Sequence, residues 1–232
     1  MPLILNIETA TTVCSVALAK DGELISYKEQ NEGYTHAENL TVFIEEVVSK
    51  SGYTFKDVDA IAVSKGPGSY TGLRIGVSTA KGVCFALDKP LISINTLLSL
   101  AKSQIESSTF KVSGSVLLCP MLDARRMEVY CAIYDSELNY IKETSAEIID
   151  EHSFLEMLQK NKIIFFGDGA AKCKEVLSKN SNAIFIDDIF PSAKNMITLS
   201  EEAFEKKQFE DVAYFEPFYL KDFVAGKKKN IL

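Results

Sequence analysis

The sequence predicts an α/β protein of two similar lobes, each with the element order βββαβαβα. Three observations predict it: strand-like and helix-like apolar patterns alternate along the chain, the second half repeats the order of the first, and 47% of the 232 residues are apolar. Two such lobes pack side by side with a cleft between them. We expect lobes at 1–107 and 108–232.

The first half opens with three strands and continues with a long amphipathic helix. Strands are predicted at 2–7, 13–19 and 23–28, and Asp21-Gly22 favours a tight hairpin turn between the last two. Thr35 and Glu38 have capping-box spacing, so a helix should begin there and end near Gly52. A strand at 58–63, a glycine-rich turn, a helix at about 71–87, a strand at 91–94 and a helix after Thr96 complete this half.

The second half aligns with the first without a gap. NIETATTVCSVALAKDGELISYKE lies over PMLDARRMEVYCAIYDSELNYIKE with six identities in 24 positions, and both segments place a strand, a polar turn and a hairpin in register. We interpret this match as a duplicated fold. The elements that follow are a helix near 151–160, a strand at 162–166, a helix near 170–179, a strand at 183–186 and a helix near 193–206.

Composition and charge exclude several classes of protein. A net charge of −7 argues against a basic face that grips a polyanion alone. The N-terminal segment lacks a basic region, and no run approaches the roughly 20 apolar residues of a membrane span, so we expect a cytoplasmic protein without membrane association. Five cysteines without a CxxC pattern indicate buried, reduced thiols. Only His36 and His152 are available to a metal, and we expect both at surface or capping positions.

The turn at Glu8-Thr9-Ala10-Thr11-Thr12 has two interpretations. A carboxylate and three hydroxyls at the end of a buried strand can hold phosphate oxygens and orient a metal or water. A simple hydrogen-bonded turn explains the same residues, and the residues alone favour it.

The segment KGPGSYTGLRIG is the most informative stretch. Gly66, Gly68 and Ser69, with the start of the next helix, can receive an anion, although the pattern is neither a P-loop nor GxGxxG. A purely structural role explains the same residues at least as well. Small residues every four positions along that helix favour close approach of a second helix. We therefore expect a partner surface on the first two helices, although one side of each must cover its own sheet. Its predicted residues are Leu40, Phe43, Ile44, Val47, Gly72, Leu73, Gly76 and Ala80.

Three further charged features each have two interpretations. Asp123 and Glu128 are either an acid/base pair or salt-bridged loop residues, and the second is the more common use of charged turns. Gly167-Asp168-Gly169 before a helix is either a nucleotide-facing turn or a structural one. The lysines at 227–229 either touch RNA phosphate or form a solvated tail.

Four segments in this order resemble the TsaB (YeaZ-like) family: ILNIETATT, SKGPGSYTGLRIGVSTAKG, LDARRMEVY and FFGDGAA. The resemblance implies the two-lobed fold of the actin-like ATPase, sugar kinase and heat-shock chaperone superfamily, with duplicated ribonuclease H-like lobes. It implies no intrinsic cofactor, with ATP or ADP at a composite site formed with partners. The candidate nucleotide-binding residues are Glu8, Thr9, Thr11, Thr12, Gly66, Gly68, Ser69, Gly167, Asp168 and Gly169.

The resemblance also implies partners. TsaB is a paralogue of TsaD, which transfers a threonylcarbamoyl group to tRNA, and TsaD-like proteins carry a metal-binding HxxxH where this chain has Thr96 and Leu100. Neither residue supplies an imidazole ligand. We therefore expect no metal and no catalytic residue, but a partner subunit of a TsaD-like transferase and a TsaE-like ATPase. This chain would form a homodimer when alone and would reach tRNA only through the complex.

Two enzymatic alternatives stay open at this stage. The Glu8–Thr12 turn and the Gly167–Gly169 turn also suit an ATP-dependent, sugar-kinase-like phosphotransferase. A glycoprotease-type peptidase is disfavoured because the sequence has no HExxH motif and no GxSxG elbow. Glu8 stands where the family usually has an aspartate, which puts a phosphate-site role for this turn in question.

Overall fold

The computed structural model describes residues 2–33, 35–107 and 116–221. The lysines at 227–229, for which the sequence leaves RNA contact and a solvated tail as alternatives, lie outside these residues. The first half comprises β1 (Leu3–Glu8), β2 (Cys14–Lys20), β3 (Glu23–Gln30), α1 (His36–Lys50), β4 (Ala60–Gly66), α2 (Tyr70–Leu87), β5 (Leu91–Asn95) and α3 (Thr96–Glu106). The second half comprises β6 (Val116–Asp123), β7 (Glu128–Tyr134), β8 (Tyr140–Ile148), α4 (Leu155–Leu158), β9 (Lys162–Phe166), α5 (Ala170–Leu177), β10 (Ala183–Phe185) and α6 (Ile197–Glu205).

Each half contributes one five-stranded mixed sheet. The strand orders are β3-β2-β1-β4-β5 and β10-β9-β6-β7-β8, which are the same topology read in opposite directions. In both sheets a hairpin pairs antiparallel with the first strand, and the remaining strands run parallel to it. The predicted α/β fold and the predicted duplication are therefore confirmed.

The helices form outer and inner layers around the two sheets. On the outside, α1 and α2 cover the first sheet, and α4 and α5 cover the second. On the inside, each half of the chain supplies the helix that covers the sheet of the other half. Leu97 and Leu100 of α3 pack with Leu118 and Phe166 of the second sheet, whereas α6 and the short turn before it cover the first sheet. The boundary predicted between 107 and 108 thus separates the strands of the two sheets but not their inner helices.

Local sequence explains some of the element ends. Asp21 and Gly22 both have positive φ, 54° and 73°, as the predicted hairpin turn requires. Asn95 caps α3 by accepting a hydrogen bond from the backbone N–H of Leu98 at 3.1 Å. The capping box predicted for α1 is wrong, because the Thr35 side chain makes no capping hydrogen bond.

The helix predicted near 151–160 is correct only in its second half. Residues 150–154 form turns instead, held by the Asp150 carboxylate, which accepts from the backbone N–H of His152 at 2.9 Å. Phe154 has a positive φ of 62°, which a continuing α-helix excludes. The first outer helix of the second lobe, α4, therefore has only 4 residues, whereas α1 of the first lobe has 15.

The segment at 207–221, which we call the C-terminal strap, lies along α2 and returns to the cleft between the lobes. The Lys81 ammonium of α2 donates to the carbonyl oxygens of Ala213 and Phe215 at 3.1 and 3.0 Å. The backbone N–H of Phe218 donates to the Lys65 carbonyl at 2.7 Å. Residues from the end of the chain thus reach the first lobe's glycine-rich turn. Across residues 2–33, 35–107 and 116–221, no helix is long and apolar enough to cross a bilayer.

Candidate functional site

A cleft of about 360 Å³ lies between the lobes, where the carboxyl ends of β1 and β4 face those of β6 and β9. The carboxyl ends of parallel strands are the usual place for ligands in α/β folds. The lining residues are Ala10, Thr11, Thr12, Gly68, Ser69, Tyr70, Thr71, Leu122, Asp123, Ala124, Arg125, Tyr130, Asp168 and Lys221.

The structure divides the ten predicted nucleotide-binding residues into two groups. Five line the cleft: Thr11, Thr12, Gly68, Ser69 and Asp168. The other five, Glu8, Thr9, Gly66, Gly167 and Gly169, are buried and do not line the cleft. The second group shapes the site through packing.

Glu8 is fully buried beneath the cleft. Its Oε1 accepts hydrogen bonds from the Ala10 N–H at 2.6 Å and from the Ser64 hydroxyl at 2.7 Å. Its Oε2 has no hydrogen-bond partner among the residues that the structure describes. Burial raises the pKa of this carboxyl to about 7, against the hydrogen bonds that lower it. Glu8 therefore organises the turn and changes protonation near neutral pH.

Asp168 brings a second perturbed carboxyl to the cleft from the opposite lobe. Burial raises its pKa to about 6, and the nearby Asp123 carboxylate adds to the effect. Its Oδ1 accepts a hydrogen bond from the Asp123 N–H at 3.2 Å. The negative charge of Asp168 also raises the pKa of Glu8, although less than burial does. The two acids thus interact across the lobe junction.

We call residues 8–12 the cleft turn; it packs directly against the GPGS segment and the start of α2. The Ser69 N–H donates to the Ala10 carbonyl at 2.6 Å. A Cβ at Gly68 would lie 2.4 Å from the same carbonyl oxygen, and one at Gly72 would lie 2.1 Å from the Thr9 carbonyl oxygen. No side chain fits at either position without displacing the backbone.

The small-residue row of α2 therefore serves the chain itself. A Cβ at Gly76 would lie 2.2 Å from Thr9 Oγ1, and Ala80 is buried in the core of the first lobe. We predicted that this row admits a helix from a partner. That interpretation is corrected, because the space above Gly72 and Gly76 is filled by the cleft turn.

The apolar residues predicted for the partner surface are also core residues. Leu40, Phe43, Ile44, Val47 and Leu73 are each 5% exposed or less. The four residues of α1 pack against the first sheet. Amphipathic spacing correctly identified the buried face of α1, but that face covers the chain's own sheet. A partner can reach only the opposite faces of α1 and α2.

His36 is buried as well, and its predicted surface or capping position is wrong. Its side chain is 1% exposed, and Nε2 lies 2.8 Å from the Thr11 carbonyl oxygen. A carbonyl oxygen only accepts hydrogen bonds, so Nε2 carries the proton. Burial lowers the pKa of His36, which favours this neutral ring. By contrast, His152 is exposed in the second lobe.

Charged and aromatic residues from distant parts of the chain complete the cleft. Arg125 sits in the β6–β7 hairpin turn with a φ of 71°, next to Arg126 with a φ of 50°. Lys221 of the C-terminal strap forms an ion pair with Glu128 of β7. The ten nucleotide-binding residues predicted from the sequence did not include Arg125 or Lys221. They also did not include Tyr70 and Tyr130, which line the cleft as well.

Asp123 and Glu128 do not form an acid/base pair. Asp123 is ion-paired with Lys172 and accepts a hydrogen bond from the Arg125 N–H at 2.9 Å, whereas Glu128 is paired with Lys221. The structure supports the salt-bridged interpretation of these residues. Among the residues that the structure describes, no group of three or more His, Cys, Asp or Glu side chains is placed to hold a metal ion.

Comparisons with known proteins connect this architecture to a family. A family model described as "TsaD: tRNA N6-adenosine threonylcarbamoyltransferase" matches residues 31–229. The tRNA threonylcarbamoyladenosine biosynthesis protein TsaB of Escherichia coli (strain K12) is 31% identical, over 97% of both chains. TsaB of Haemophilus influenzae (strain ATCC 51907 / DSM 11121 / KW20 / Rd) is 29% identical, over 97% of this chain and 96% of its own.

A solved structure has the same fold. It is an uncharacterized protein from Pseudomonas aeruginosa, described as similar to peptidase YEAZ, with a TM-score of 0.80 and 23% identity over 95% of this chain and all of its own. The duplicated sheets, the full-length sequence match and the family model agree. The chain belongs to the TsaB family, within the wider family that the TsaD model describes.

Proposed function

We propose that this chain is a non-catalytic partner subunit in the threonylcarbamoyladenosine modification of tRNA. It pairs with a TsaD-like transferase, a TsaE-like ATPase joins the pair, and tRNA is reached through the complex. When alone, the chain forms a homodimer through the same surface. Membership of the TsaB family supports the pathway, and the surface of the first lobe supports the pairing.

The observation that carries the proposal is the exposed side of α1 and α2 on the outside of the first lobe, which carries two exposed large apolar side chains, Val42 and Phe85. We call the exposed residues of α1 and α2 the outer helix face; they include Thr41, Val42, Glu45, Arg74, Ser78, Gly82 and Phe85. Phe85 is 86% exposed and Val42 is 55% exposed. Large apolar side chains that project this far from a folded surface are characteristic of binding sites when they cluster.

The outer helix face is also shaped for close contact. A Cβ placed on Gly82 meets no atom within 4 Å in the part of the chain that the structure describes. Small residues beside a protruding aromatic ring let a partner helix approach while the ring enters a pocket on the partner. Pairing therefore still involves α1 and α2, but through exposed side chains instead of the buried ones predicted from the sequence.

The positions that align with the TsaD-like metal motif are consistent with a non-catalytic role. Thr96 and Leu100 are both fully buried, and Leu100 packs with Leu118 and Leu122 of the second sheet. These side chains serve the packing of the two lobes. We therefore assign the transfer chemistry to the partner.

Titration calorimetry between this chain and the TsaD-like protein of the same organism tests the proposal. We expect Phe85→Ala to weaken pairing by about 30-fold or more, since a central aromatic contact is commonly worth about 2 kcal/mol. The matched control is Ile148→Ala, because Ile148 is 75% exposed but lies in the second lobe. Absence of pairing by the wild type, or equal effects of the two variants, would contradict the proposed surface.

A specific observation also favours nucleotide binding in the cleft. The hydroxyls of Thr11, Thr12, Ser69 and Thr71, the start of α2 and the cationic side chain of Arg125 all lie along it. Hydroxyls, helix N-terminal amides and arginine are common phosphate ligands. We propose ATP or ADP as the ligand, bound at a site completed by partners.

The same titration with ADP distinguishes this role from a sugar-kinase-like phosphotransferase. Binding by the complex without turnover of ATP supports a structural or regulatory nucleotide. Phosphate transfer to a sugar by the isolated chain would support the kinase alternative instead.

A further inference from the structure

The cleft turn is held by the first turns of both outer helices. The Thr9 hydroxyl donates to the Gly72 carbonyl of α2 at 2.8 Å. The His36 imidazole of α1 donates to the Thr11 carbonyl, also at 2.8 Å. Thr11 and its neighbour Thr12 line the cleft. One short loop therefore contacts the ligand cleft on one side and both outer helices on the other.

The contact with α2 leaves no room for independent movement. A Cβ at Gly72 would lie 2.1 Å from the Thr9 carbonyl oxygen and 3.3 Å from His36 Cδ2, so this glycine is enclosed between the cleft turn and the imidazole. Close-packed interiors transmit displacement because they have few voids to absorb it. A shift of the N-terminal end of α2 must therefore move Thr9 or be resisted by it.

The contact with α1 depends on one side chain. His36 is the first residue of α1, and its ring is buried between that helix, Gly72 and Thr11. A shift of α1 relative to α2 acts on this ring. Its hydrogen bond to Thr11 then carries the displacement into the backbone that faces the cleft.

We infer that His36 is a positioning residue, through which protein binding on the outer helix face changes the cleft turn. The inference rests on the proposed partner surface. Because coupling between two sites is reciprocal, a ligand that orders Thr11 and Thr12 also favours pairing on the outer helix face. The ligand chemistry expected at the cleft turn is a phosphate group, which hydroxyls and backbone amides can bind.

Hydrogen exchange of the backbone amides at residues 8–13 tests this coupling in the full chain, measured with and without saturating TsaD-like partner. We expect the partner to slow exchange there by about 10-fold in the wild type, because ordering raises the free energy of local opening. His36→Leu removes the donor, and we expect it to abolish most of this change while the complex still forms. His36→Gln retains an N–H near the position of Nε2 and should restore the change.

His152→Leu is the matched control, because it replaces an exposed histidine of the second lobe. Melting temperatures of all three variants separate a loss of coupling from a general loss of stability. If the partner binds the wild type but leaves exchange at 8–13 unchanged, the inference is overturned and the proposed surface stands. If no complex forms with the wild type, the proposed function fails, and this inference fails with it.

Discussion

Ser64 of β4 donates a hydrogen bond of 2.7 Å to the buried carboxyl of Glu8 in β1. The two residues lie side by side on neighbouring parallel strands, where β1 ends and the cleft turn begins. Ser64 is also fully buried. Because Glu8 is buried at this position, its protonation state affects the stability of the folded chain rather than the binding of a ligand.

We expect the chain to lose stability as the pH rises from about 4.5 to 7, because of Glu8. Its pKa is about 7 in the folded protein and 4.5 ordinarily, so the folded state holds the proton more tightly. Stability from this group is complete below pH 4.5 and is lost as the pH rises through 7. The difference of about 2.5 pH units corresponds to about 3 kcal/mol.

Urea unfolding between pH 5 and 8 measures this loss. Glu8→Gln should flatten the profile, since its amide oxygen can still accept from Ala10 and Ser64. Asp168, whose pKa is raised to about 6, adds a smaller dependence with the same sign. Glu38→Gln, at an exposed position of α1, is the control and should keep the wild-type slope. A Glu8→Gln profile as steep as that of the wild type would show that Glu8 is not responsible.

Two glycines of α2 should respond oppositely to the same substitution. Gly76→Leu would drive its side chain into Thr9, and overpacking of this kind costs about 1 to 3 kcal/mol of stability. Gly82→Leu projects into open space and should preserve stability or raise it by about 0.5 to 1 kcal/mol, because leucine is the better helix former.

Affinity for the TsaD-like partner should respond the other way, falling more in Gly82→Leu than in Gly76→Leu. Gly82→Leu places bulk on the outer helix face and should weaken association with the TsaD-like partner by about 10-fold. Urea unfolding and calorimetry of both variants give the two quantities independently. Normal pairing by a well-folded Gly82→Leu would place the interface elsewhere.

Adjacent arginines of the β6–β7 turn provide a test of the nucleotide proposal. Arg125 lines the cleft, and Arg126 is exposed beside it. Charge-assisted hydrogen bonds contribute about 1.5 to 3 kcal/mol, so Arg125→Ala should raise the Kd for ADP by about 10-fold or more. We expect Arg126→Ala to change it by less than about 3-fold. Equal effects would indicate long-range charge attraction rather than a phosphate contact.

The two lobes should unfold together. Leu100 comes from the first half of the chain but is buried against the second sheet, so Leu100→Ala should cost about 2 to 5 kcal/mol of the stability of the whole molecule. Hydrogen exchange under mild denaturant should then rise equally in β1 and β6. Two separate transitions, with only the second lobe weakened, would contradict this expectation.

The sequence predicted the parts of this architecture that depend on local pattern. The alternation at β1 and β2 and the i, i+3, i+4, i+7 spacing at Leu40 to Val47 identify strands, a helix and its buried face. The same spacing does not say what covers that face, so these core residues were assigned to a partner. The helix near 151–160 was overextended because the turn at Phe154 follows from local hydrogen bonding rather than periodicity.

The candidate site was predicted only where its residues are consecutive. The cleft turn and the segment at 66–69 stand out because hydroxyls and glycines are grouped along the chain. Lys221, Tyr130 and Arg125 reach the cleft through tertiary contacts. The gapless alignment of the two halves pairs Arg125 with Thr11, and this was the available signal that Arg125 faces the cleft.

The exchange of inner helices sets an order of events during synthesis on the ribosome. The first sheet has an inner face of Ile4, Ala60, Ala62, Ile92 and Ile94, which Met196 and Ala203 cover. All five strands of that sheet are complete about 100 residues before the covering residues are made. At about 5 to 20 residues per second, this apolar surface stays uncovered for roughly 5 to 20 seconds. We therefore expect the first sheet to complete its packing only after residues 196–203 have been synthesised.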